Sequence, residues 1–457
     1  MLKGVKLRDY QEQILKELSY VPAIGLFMKT GSGKTITSLE RFTRNPTSHL
    51  LIICPQKIIT QWQEVVEKHT DLSVCKYNLS WGSTKKNKVI NDFLLKDYIS
   101  NKCVIVNFDI ITKMSCLDWA VNEDWTIIVD ESHKIKNMGT SRSPVKTTKK
   151  VLELGELTPF KIILTATPTE KEFGGYIDFY AQLRFLGYID YSESYFKNKY
   201  CKIQKMQLPG MPFPINKITG YRMDLIDKEI KPIIKCSCRY FAPKYGDYEP
   251  EFIKVDIPRC TNYPKMLKDR TYKEITFDNV SAFRIGKKTL TAGIVTGTDE
   301  YGDRYTYGDN TNKRDWLEEF ISNTDDVISV LYNYNVERDI IISLCEKLNK
   351  KYVVIDGSVK DKPAELKKDF DILIGQYEAF GESLDGLQFK CHLMVFYSMP
   401  DSSRAYRQSL GRIDRIGQTD MPIYYHLVMA STIDEKIYEM TQSKVEFSEK
   451  DLNELTV

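Results

Sequence analysis

The sequence predicts an α/β protein built on two parallel sheets, because short apolar runs recur in order along two parts of the chain. In the first part, runs rich in Ile, Val and Leu alternate with polar or helical stretches and occupy residues 23–28, 50–54, 103–108, 126–130 and 161–168. The same rhythm returns near the other end, at residues 327–333, 351–356, 370–376, 392–398 and 423–429. Strands that alternate with helices favour a parallel sheet with both faces covered.

The length of the chain points to more than one domain. A chain of 457 residues exceeds what one hydrophobic core usually holds. Residues 186–325 are rich in Tyr, Lys and Pro and show no regular alternation. We therefore expect an α/β domain at 1–185, an irregular or helical insert at 186–325, and a second α/β domain at 326–457.

Composition excludes some classes of protein. An apolar share of 42% and a charged share of 28% are typical of a soluble globular chain. The net charge of +3 does not by itself indicate nucleic acid. The ten cysteines lack metal-ligand spacing, so we expect no zinc and buried free thiols in a reducing compartment. Without a signal peptide or an apolar run of about 20 residues, we expect no membrane contact and a cytoplasmic location, in a bacterium or a phage-infected host.

A glycine-rich loop follows the first apolar run. The segment "MKTGSGKT" spans Met28–Thr35 and precedes a helical pattern. Such a turn brings backbone N–H groups and a helix N-terminus to phosphates, while its lysine reaches the β- and γ-phosphates and its hydroxyl reaches Mg²⁺. Met28 stands where the strict pattern has glycine, and the alternative is a Gly-Ser loop with a chance lysine. The predicted ATP-binding residues are Gly31, Ser32, Gly33, Lys34 and Thr35.

A pair of carboxylates ends another apolar run. The segment "TIIVDESHKIKN" places Asp130 and Glu131 at the carboxyl end of a predicted strand, where open α/β sheets bind ligands. Asp130 can hold Mg²⁺, and Glu131 can orient or deprotonate the attacking water. An acidic pair after a strand is more often a helix cap. Together with the glycine-rich loop, it indicates nucleotide hydrolysis.

These motifs are part of a longer ordered series, and the sequence resembles the Swi/Snf-type branch of superfamily 2 helicases and translocases. The "KN" that follows the acidic motif is typical of that branch, as is the ending "RIGQ". The further segments that carry the resemblance are "LRDYQ" (7–11), "ICPQKIITQW" (53–62), "LTATPTEK" (164–171), "GESLDGLQ" (381–388) and "YRQSLGRIDRIGQ" (406–418).

The resemblance implies two RecA-like lobes with ATP and Mg²⁺ in the cleft between them. It implies Gln11 as the contact to the adenine base and adds Gln408 to the nucleotide site. It also implies that both lobes contact nucleic-acid phosphates, through Pro55, Gln56, Lys57, Asn107 and Ser383.

Two arginines near the end of the chain have the chemistry of arginine fingers. Phosphoryl transfer needs charge neutralisation at the γ-phosphate, and a guanidinium offers a permanent charge on a planar fork. We expect Arg412 and Arg415 to share one face of a helix that has Asp401 or Ser402 as its N-cap and Gly417 just past its end. They have no obvious acidic partner nearby in the sequence. The alternative is an ordinary surface helix with salt bridges.

Some positions depart from the family pattern. They are Ser132, Ala166, Gly411 and Asp414. No histone-reading segment is present. Both observations favour a compact bacterial or phage member over a chromatin remodeller.

The predicted function is therefore an ATP-dependent DNA translocase or helicase, a nucleic-acid-dependent ATPase. Duplex DNA is the favoured track and single-stranded DNA the second. The compact chain suggests phage or mobile-element replication, replication proteins as partners, and a monomer when free. The alternatives are an RNA helicase, or a nucleotide-gated DNA-binding loader or switch with slow ATPase.

Overall fold

The computed structural model describes residues 2–139, 144–169, 175–207, 214–242, 244, 246–359, 361–380 and 384–443. These residues form two compact units: the first extends to Ala242, and the second contains the described residues after it. Each unit is built on one parallel sheet with helices on both faces. The predicted fold class, α/β with two parallel-sheet lobes, is confirmed.

The first unit contains a seven-stranded sheet in the order β3-β4-β2-β5-β6-β1-β9, and all its pairings are parallel. Its central strands are buried along their whole length, which explains their near-continuous apolar sequences. The strands are β1 Ala23–Met28, β2 His49–Cys54, β3 Ser73–Val74, β4 Lys102–Asn107, β5 Trp125–Asp130, β6 Lys161–Thr165 and β9 Cys238–Phe241.

Helices cover both faces of this sheet. Alternate residues of each strand point to opposite faces; in β1, for example, Phe27 belongs to one core and Leu26 to the other. Helices α1 to α3 cover the Leu26 face, and helices that include α4, α6, α7 and α10 cover the other. The helices are α1 Asp9–Glu17, α2 Lys34–Thr43, α3 Ile59–His69, α4 Ser83–Leu94, α5 Cys116–Ala120, α6 Lys146–Gly155, α7 Tyr176–Leu186, α8 Glu193–Tyr200, α9 Met223–Leu225 and α10 Lys231–Ser237.

The second unit contains a six-stranded sheet in the order β10-β19-β18-β15-β17-β16, again parallel throughout. Its strands are β10 Glu251–Ile257, β15 Ile328–Tyr332, β16 Tyr352–Ile355, β17 Ile372–Gln376, β18 Leu393–Phe396 and β19 Ile423–Met429.

Two layers of helices cover the second sheet. Helices α11 to α14 pack on one face, and α15 to α17 pack on the other with the helical residues 433–443. The helices are α11 Asn262–Asp269, α12 Val280–Thr291, α13 Asn312–Ser322, α14 Asn335–Lys347, α15 Lys362–Lys367, α16 Tyr377–Phe380 and α17 Ser403–Leu410.

Residues 186–325 contribute to both units. They supply the edge strands β9 and β10, one to each sheet, together with short helices and three small antiparallel pairs. These pairs are β7 Cys201–Met206 with β8 Ile215–Tyr221, β11 Thr271–Tyr272 with β12 Ile275–Thr276, and β13 Ile294–Thr298 with β14 Arg304–Gly308. The division between the compact units falls inside this range, and the three-segment division at 185 and 325 stays a prediction.

All ten cysteines carry free thiols, and all except Cys236 are buried. Burial raises the pKa of the Cys238 thiol to about 12, so this thiol stays protonated and inert. The expectation of buried free thiols is confirmed for nine of the ten cysteines, and Cys236 is the exception. Within the described residues, no helix combines the length and the apolar character that a membrane span requires.

Candidate nucleotide and nucleic-acid site

The parallel sheet of the first unit brings its strand ends to one edge. Strands β1 and β5 flank β6, so the loop after Met28 and the carboxylates at Asp130 and Glu131 leave the same edge of the sheet. This is the edge at which open α/β sheets bind ligands. The two predicted nucleotide motifs therefore belong to one site.

The loop between β1 and α2 has the backbone of a phosphate cradle. Gly31 and Gly33 have φ values of 85° and 82°, a left-handed conformation that glycine adopts without strain. Helix α2 begins directly afterwards at Lys34, so its N-terminal N–H groups lie beside the loop. The Lys34 Nζ donates to the carbonyl oxygens of Met28 at 2.9 Å and Lys29 at 3.3 Å. The Lys34 ammonium thus lies over its own loop.

Gln11 lies against this loop. Its Nε2 donates to Thr37 Oγ1 at 2.9 Å and to the Gly33 carbonyl at 3.4 Å. A Cβ at Gly33 would lie 2.7 Å from that nitrogen, so glycine is required both for its φ and for this approach. Gln11 supports the loop in this structure, and its contact to an adenine base stays a prediction.

Two aromatic residues that the sequence did not single out support the loop from outside. Tyr10 donates its hydroxyl to the Ser32 carbonyl at 2.7 Å and stacks on Phe241 with the ring centroids 4.3 Å apart. The Phe241 carbonyl accepts the Lys29 N–H at 2.9 Å. Tyr10 lies inside the "LRDYQ" motif and could have been found there. Phe241 could not, because β9 is some two hundred residues away in the chain.

Asp130 is buried at the end of β5. Its Oδ2 accepts the indole N–H of Trp62 at 2.9 Å, and its Oδ1 accepts the backbone N–H of Glu131 at 2.9 Å. Burial, followed by the charge of Glu131, raises the pKa of Asp130 to about 6, while the Trp62 hydrogen bond and the Lys34 ammonium oppose the rise. The charged form of such a buried carboxylate is strongly stabilised by a nearby cation.

Glu131 is held in an unusual backbone conformation. Its φ of 55° and ψ of 53° are left-handed, which is uncommon outside glycine and occurs often at functional sites. Its Oε2 lies 3.1 Å from Nδ1 of the buried His133, and that nitrogen is also 3.3 Å from Thr165 Oγ1. His133 therefore links the carboxylate to the end of β6 inside the first unit.

Ser132, a departure from the family pattern, makes a buried contact. Its Oγ donates to Gln182 Oε1 at 2.7 Å. The Gln182 Nε2 donates in turn to the carbonyls of Pro168 at 3.0 Å and Asp178 at 2.9 Å. The acidic motif and the segment after β6 are thus joined through one glutamine of α7, which the sequence did not reveal.

Most of the predicted nucleic-acid contacts of the first unit also converge. Pro55–Lys57 follow β2, and Asn107 ends the adjacent strand β4, with Cys54 and Asn107 as register partners. The Asn107 Nδ2 donates to Asp109 Oδ2 at 3.0 Å and lies 3.5 Å from Gln56 Oε1. Gln56 and Lys57 are exposed, whereas Asn107 is buried, and its contact to nucleic acid stays a prediction. The remaining predicted contact, Ser383, lies outside the described residues.

The helix that was predicted to carry both arginines is shorter than expected. Its predicted start is confirmed, because the Ser402 side chain caps α17 by accepting the Ala405 N–H. The helix ends at Leu410, with Gly411 as its C-terminal cap, so the prediction that it continues until just before Gly417 is wrong. Glycine is a poor residue for a helix interior and a favourable one just past its end. Gln408 lies in the last turn of the helix and is partly buried.

The arginines beyond this helix share an acidic partner. Arg415 Nη1 lies 2.6 Å from Asp385 Oδ1, and Arg412 Nη1 lies 3.6 Å from the same oxygen. Arg412 Nη1 also donates to the Leu384 carbonyl at 3.0 Å. Their acidic partner was not evident from the neighbouring sequence, because Asp385 is close to both arginines in space but not in the chain. Its position in "GESLDGLQ" was the available signal.

Comparison with known proteins supports the resemblance. Residues 21–208 match the family model of the SNF2-related domain. This match to part of the chain confirms the resemblance to Swi/Snf-type motors of superfamily 2. That domain family implies the use of ATP and a nucleic-acid-dependent ATPase.

The chain is also similar to a solved structure described as the Sulfolobus solfataricus SWI2/SNF2 ATPase core in complex with dsDNA. The match has 19% identity and a TM-score of 0.42, and it covers 98% of this chain and 94% of the other. The duplex DNA named there is a property of the Sulfolobus protein.

Proposed function

We propose that the protein is an ATP-dependent translocase that moves along duplex DNA. The observation that carries this proposal is the meeting of the Lys34 loop with Asp130 and Glu131 at one edge of a parallel sheet. The same unit contains the matched SNF2-related domain. Its role in phage or mobile-element replication stays a prediction.

The donor set of the first unit fits ATP with Mg²⁺. The loop N–H groups from Gly31 to Lys34 would receive the phosphates, aided by the N-terminus of α2. Thr35 and Asp130 would hold Mg²⁺ directly or through water, and the raised pKa of buried Asp130 is what a carboxylate awaiting a cation would show. When bound, Mg²⁺ neutralises phosphate charge. Lys34 would leave the carbonyls of its own loop and pair with the phosphates.

Glu131 is the proposed base or orienting group for the attacking water. It follows Asp130 directly and retains partial exposure, 25% for the side chain, so a water molecule can reach it. The contact to His133 Nδ1 holds its side chain in position. Arg412 and Arg415 of the second unit would supply positive charge to the γ-phosphate during hydrolysis.

The track is proposed to contact the strand ends that follow β2 and β4. Exposed Gln56 and Lys57 can contact phosphate oxygens without reading bases. Buried Asn107 lies beside Gln56 and would act by positioning it. Such contacts are independent of sequence and weaken with salt. Cycles of ATP binding and hydrolysis would then change how tightly each unit binds the DNA and so produce movement along it.

The decisive experiment compares ATPase rates without polymer and with duplex DNA, single-stranded DNA or RNA. Stimulation by duplex DNA, stronger than by the other polymers, is expected. Stimulation by RNA alone would favour an RNA helicase, and no stimulation by any polymer would favour a nucleotide-gated switch.

A second measurement tests the hydrolytic site itself. Glu131→Gln keeps the side-chain size and should bind ATP normally while losing turnover by about a hundredfold or more. The control Glu67→Gln changes an exposed glutamate that pairs with Lys76 at 2.7 Å, and should hydrolyse ATP like the wild type. Normal turnover in Glu131→Gln would remove this residue from the mechanism.

A further inference from the structure

An antiparallel ribbon, formed by β7 and β8, lies outside both parallel sheets. Among the described residues, β7 pairs with β8 and with no other strand. Most of its side chains are exposed, including the apolar Ile203, which is 41% exposed. A two-stranded pair exposed in this way gains little from burial and is marginal by itself.

The base of the ribbon is fixed firmly to the first unit. Cys201 and Tyr221 are buried, and the Tyr221 hydroxyl accepts the Ile177 N–H at 3.2 Å. The Arg222 guanidinium donates to the carbonyls of Asn198 and Lys199, both at 2.9 Å. The ribbon is therefore attached to the first unit at its base and exposed along most of its length.

The charged side chains in the described part of the ribbon are all positive. Its described residues, 201–207 and 214–221, include Lys202, Lys205 and Lys217 and no acidic side chain. All three lysines are exposed. The nearby acids Glu193 and Glu229 belong to the base, where they pair with Lys197 at 3.1 Å and Lys199 at 2.5 Å.

A groove of about 800 Å³ runs between the ribbon and the segment that follows the acidic motif. One wall contains Lys136 and Asn137, and the other contains Asn216 and Lys217. Groove and ribbon together contain the lysines 136, 197, 202, 205 and 217 against the acids 178 and 193. An anion is therefore the favoured occupant.

We propose that the β7–β8 ribbon is a second duplex-DNA contact of the first unit, which binds phosphates through Lys202, Lys205 and Lys217. The major groove of B-DNA admits a two-stranded β-ribbon, and lysines on both strands could reach the phosphates that border it. This inference rests on the proposed function and names a DNA contact separate from the ends of β2 and β4. A protein or peptide partner is less suited, since it would have to supply a strongly acidic surface.

The test is a triple variant, Lys202→Glu, Lys205→Glu and Lys217→Glu. Its affinity for duplex DNA should fall about tenfold or more, and the slope of log K against log salt should decrease by about 2 to 3. ATPase without DNA should stay unchanged, which shows that the unit is folded. The DNA concentration for half-maximal stimulation should rise. A milder triple change to Gln should lower the affinity in the same direction.

The matched control changes Lys16, Lys68 and Lys88 to Glu. These lysines are also exposed in the first unit and lie on α1, α3 and α4. If both triple variants lowered the affinity for duplex DNA equally, the effect would come from net charge alone, and the inference would be overturned. So would unchanged duplex binding in the ribbon variant, or a larger loss on RNA or single-stranded DNA than on duplex. If the wild type neither binds duplex DNA nor is stimulated by it, the proposed function fails. If the wild type binds duplex DNA and the ribbon variant binds it equally well, the inference alone fails.

Discussion

Asp385 and Arg415 form an ion pair of 2.6 Å, and the same carboxylate oxygen lies 3.6 Å from Arg412. One acidic side chain thus contacts both guanidiniums that are proposed to act on the γ-phosphate. A phosphate and this carboxylate offer similar acceptor oxygens to arginine. Hydrolysis at the proposed site would therefore require the arginines to exchange one anion for another.

Asp385→Ala should raise kcat for ATP hydrolysis. The side chain of Asp385 is 55% exposed, and partly exposed ion pairs contribute about 1 kcal/mol or less. Because the arginines are proposed to act mainly in the transition state, removing the competing carboxylate should increase kcat by up to about fivefold, with little change in the KM for ATP, as measured by steady-state ATPase kinetics in saturating DNA.

The control for this variant is Asp420→Ala, an exposed aspartate whose carboxylate accepts the Thr419 hydroxyl. Its kcat should equal that of the wild type. A lower kcat in Asp385→Ala would instead mean that Asp385 holds the arginines in their active position.

Arg415→Ala should separate binding from hydrolysis. The proposed charge on the γ-phosphate is needed mainly in the transition state, so ATP should bind nearly normally while kcat falls by about a thousandfold. Arg415→Lys should recover little, because an ammonium lacks the planar fork. The exposed Arg314 provides the control as Arg314→Ala. Wild-type turnover in Arg415→Ala would show that this residue is not an arginine finger.

Ser132→Ala should destabilise the first unit. It leaves the buried Gln182 Oε1 without the hydroxyl that donates to it at 2.7 Å. The free energy of unfolding should therefore fall by about 1 to 3 kcal/mol. Urea unfolding followed by tryptophan fluorescence measures this, since all five tryptophans except Trp316 lie in the first unit. Ser19→Ala removes an exposed hydroxyl that donates to a backbone carbonyl, and should change stability far less. Equal effects would mean that the buried bridge contributes nothing of its own.

The raised pKa of Asp130, about 6 because of burial and the neighbouring Glu131, predicts a pH dependence. Below this pH the group is protonated and a poor Mg²⁺ ligand, so the affinity for Mg²⁺ and ATP should decrease on acidification. The folded protein binds more protons here than the unfolded chain, so without ligand the free energy of unfolding should fall as the pH rises from about 4 through 6.

Asp130→Asn tests both effects, because it removes the titrating group while keeping an acceptor for Trp62. Its unfolding free energy should lose this part of the pH dependence, and its Mg²⁺ affinity should be low at every pH. Titrations of Mg²⁺ and ATP between about pH 5 and pH 8 span the transition. An unchanged profile in Asp130→Asn would assign the dependence to another group.

The buried strands were the most predictable part of the fold. Strand β1 coincides with the predicted run at 23–28, and β19 with the run at 423–429. Such strands carry continuous apolar sequences because both of their faces are covered. Edge strand β10 was not predicted, because its residues Glu251–Ile257 are mostly exposed and lack the continuous apolar sequence of the buried strands. Strand β9 is too short for periodicity to show.

The residues of the candidate site were predictable in part, from motifs that encode local geometry. Lys34 and Asp130 follow strands directly, so the parallel topology brings them to the same edge. Asp385, Gln182 and Phe241 were missed because their contacts join segments distant in the chain. Gly411 shows a different limit: the sequence alone allowed it inside a helix, and only the backbone shows that it ends one.

The exposed ribbon has a consequence for self-association. Antiparallel pairs offer unpaired N–H and C=O groups along their outer edges, which can add a strand from another molecule. Charged side chains, lysine above all, are a common protection against such pairing. The lysines at 202, 205 and 217 would thus keep copies of the protein apart by mutual repulsion. Screening by salt should then promote aggregation as it weakens DNA binding.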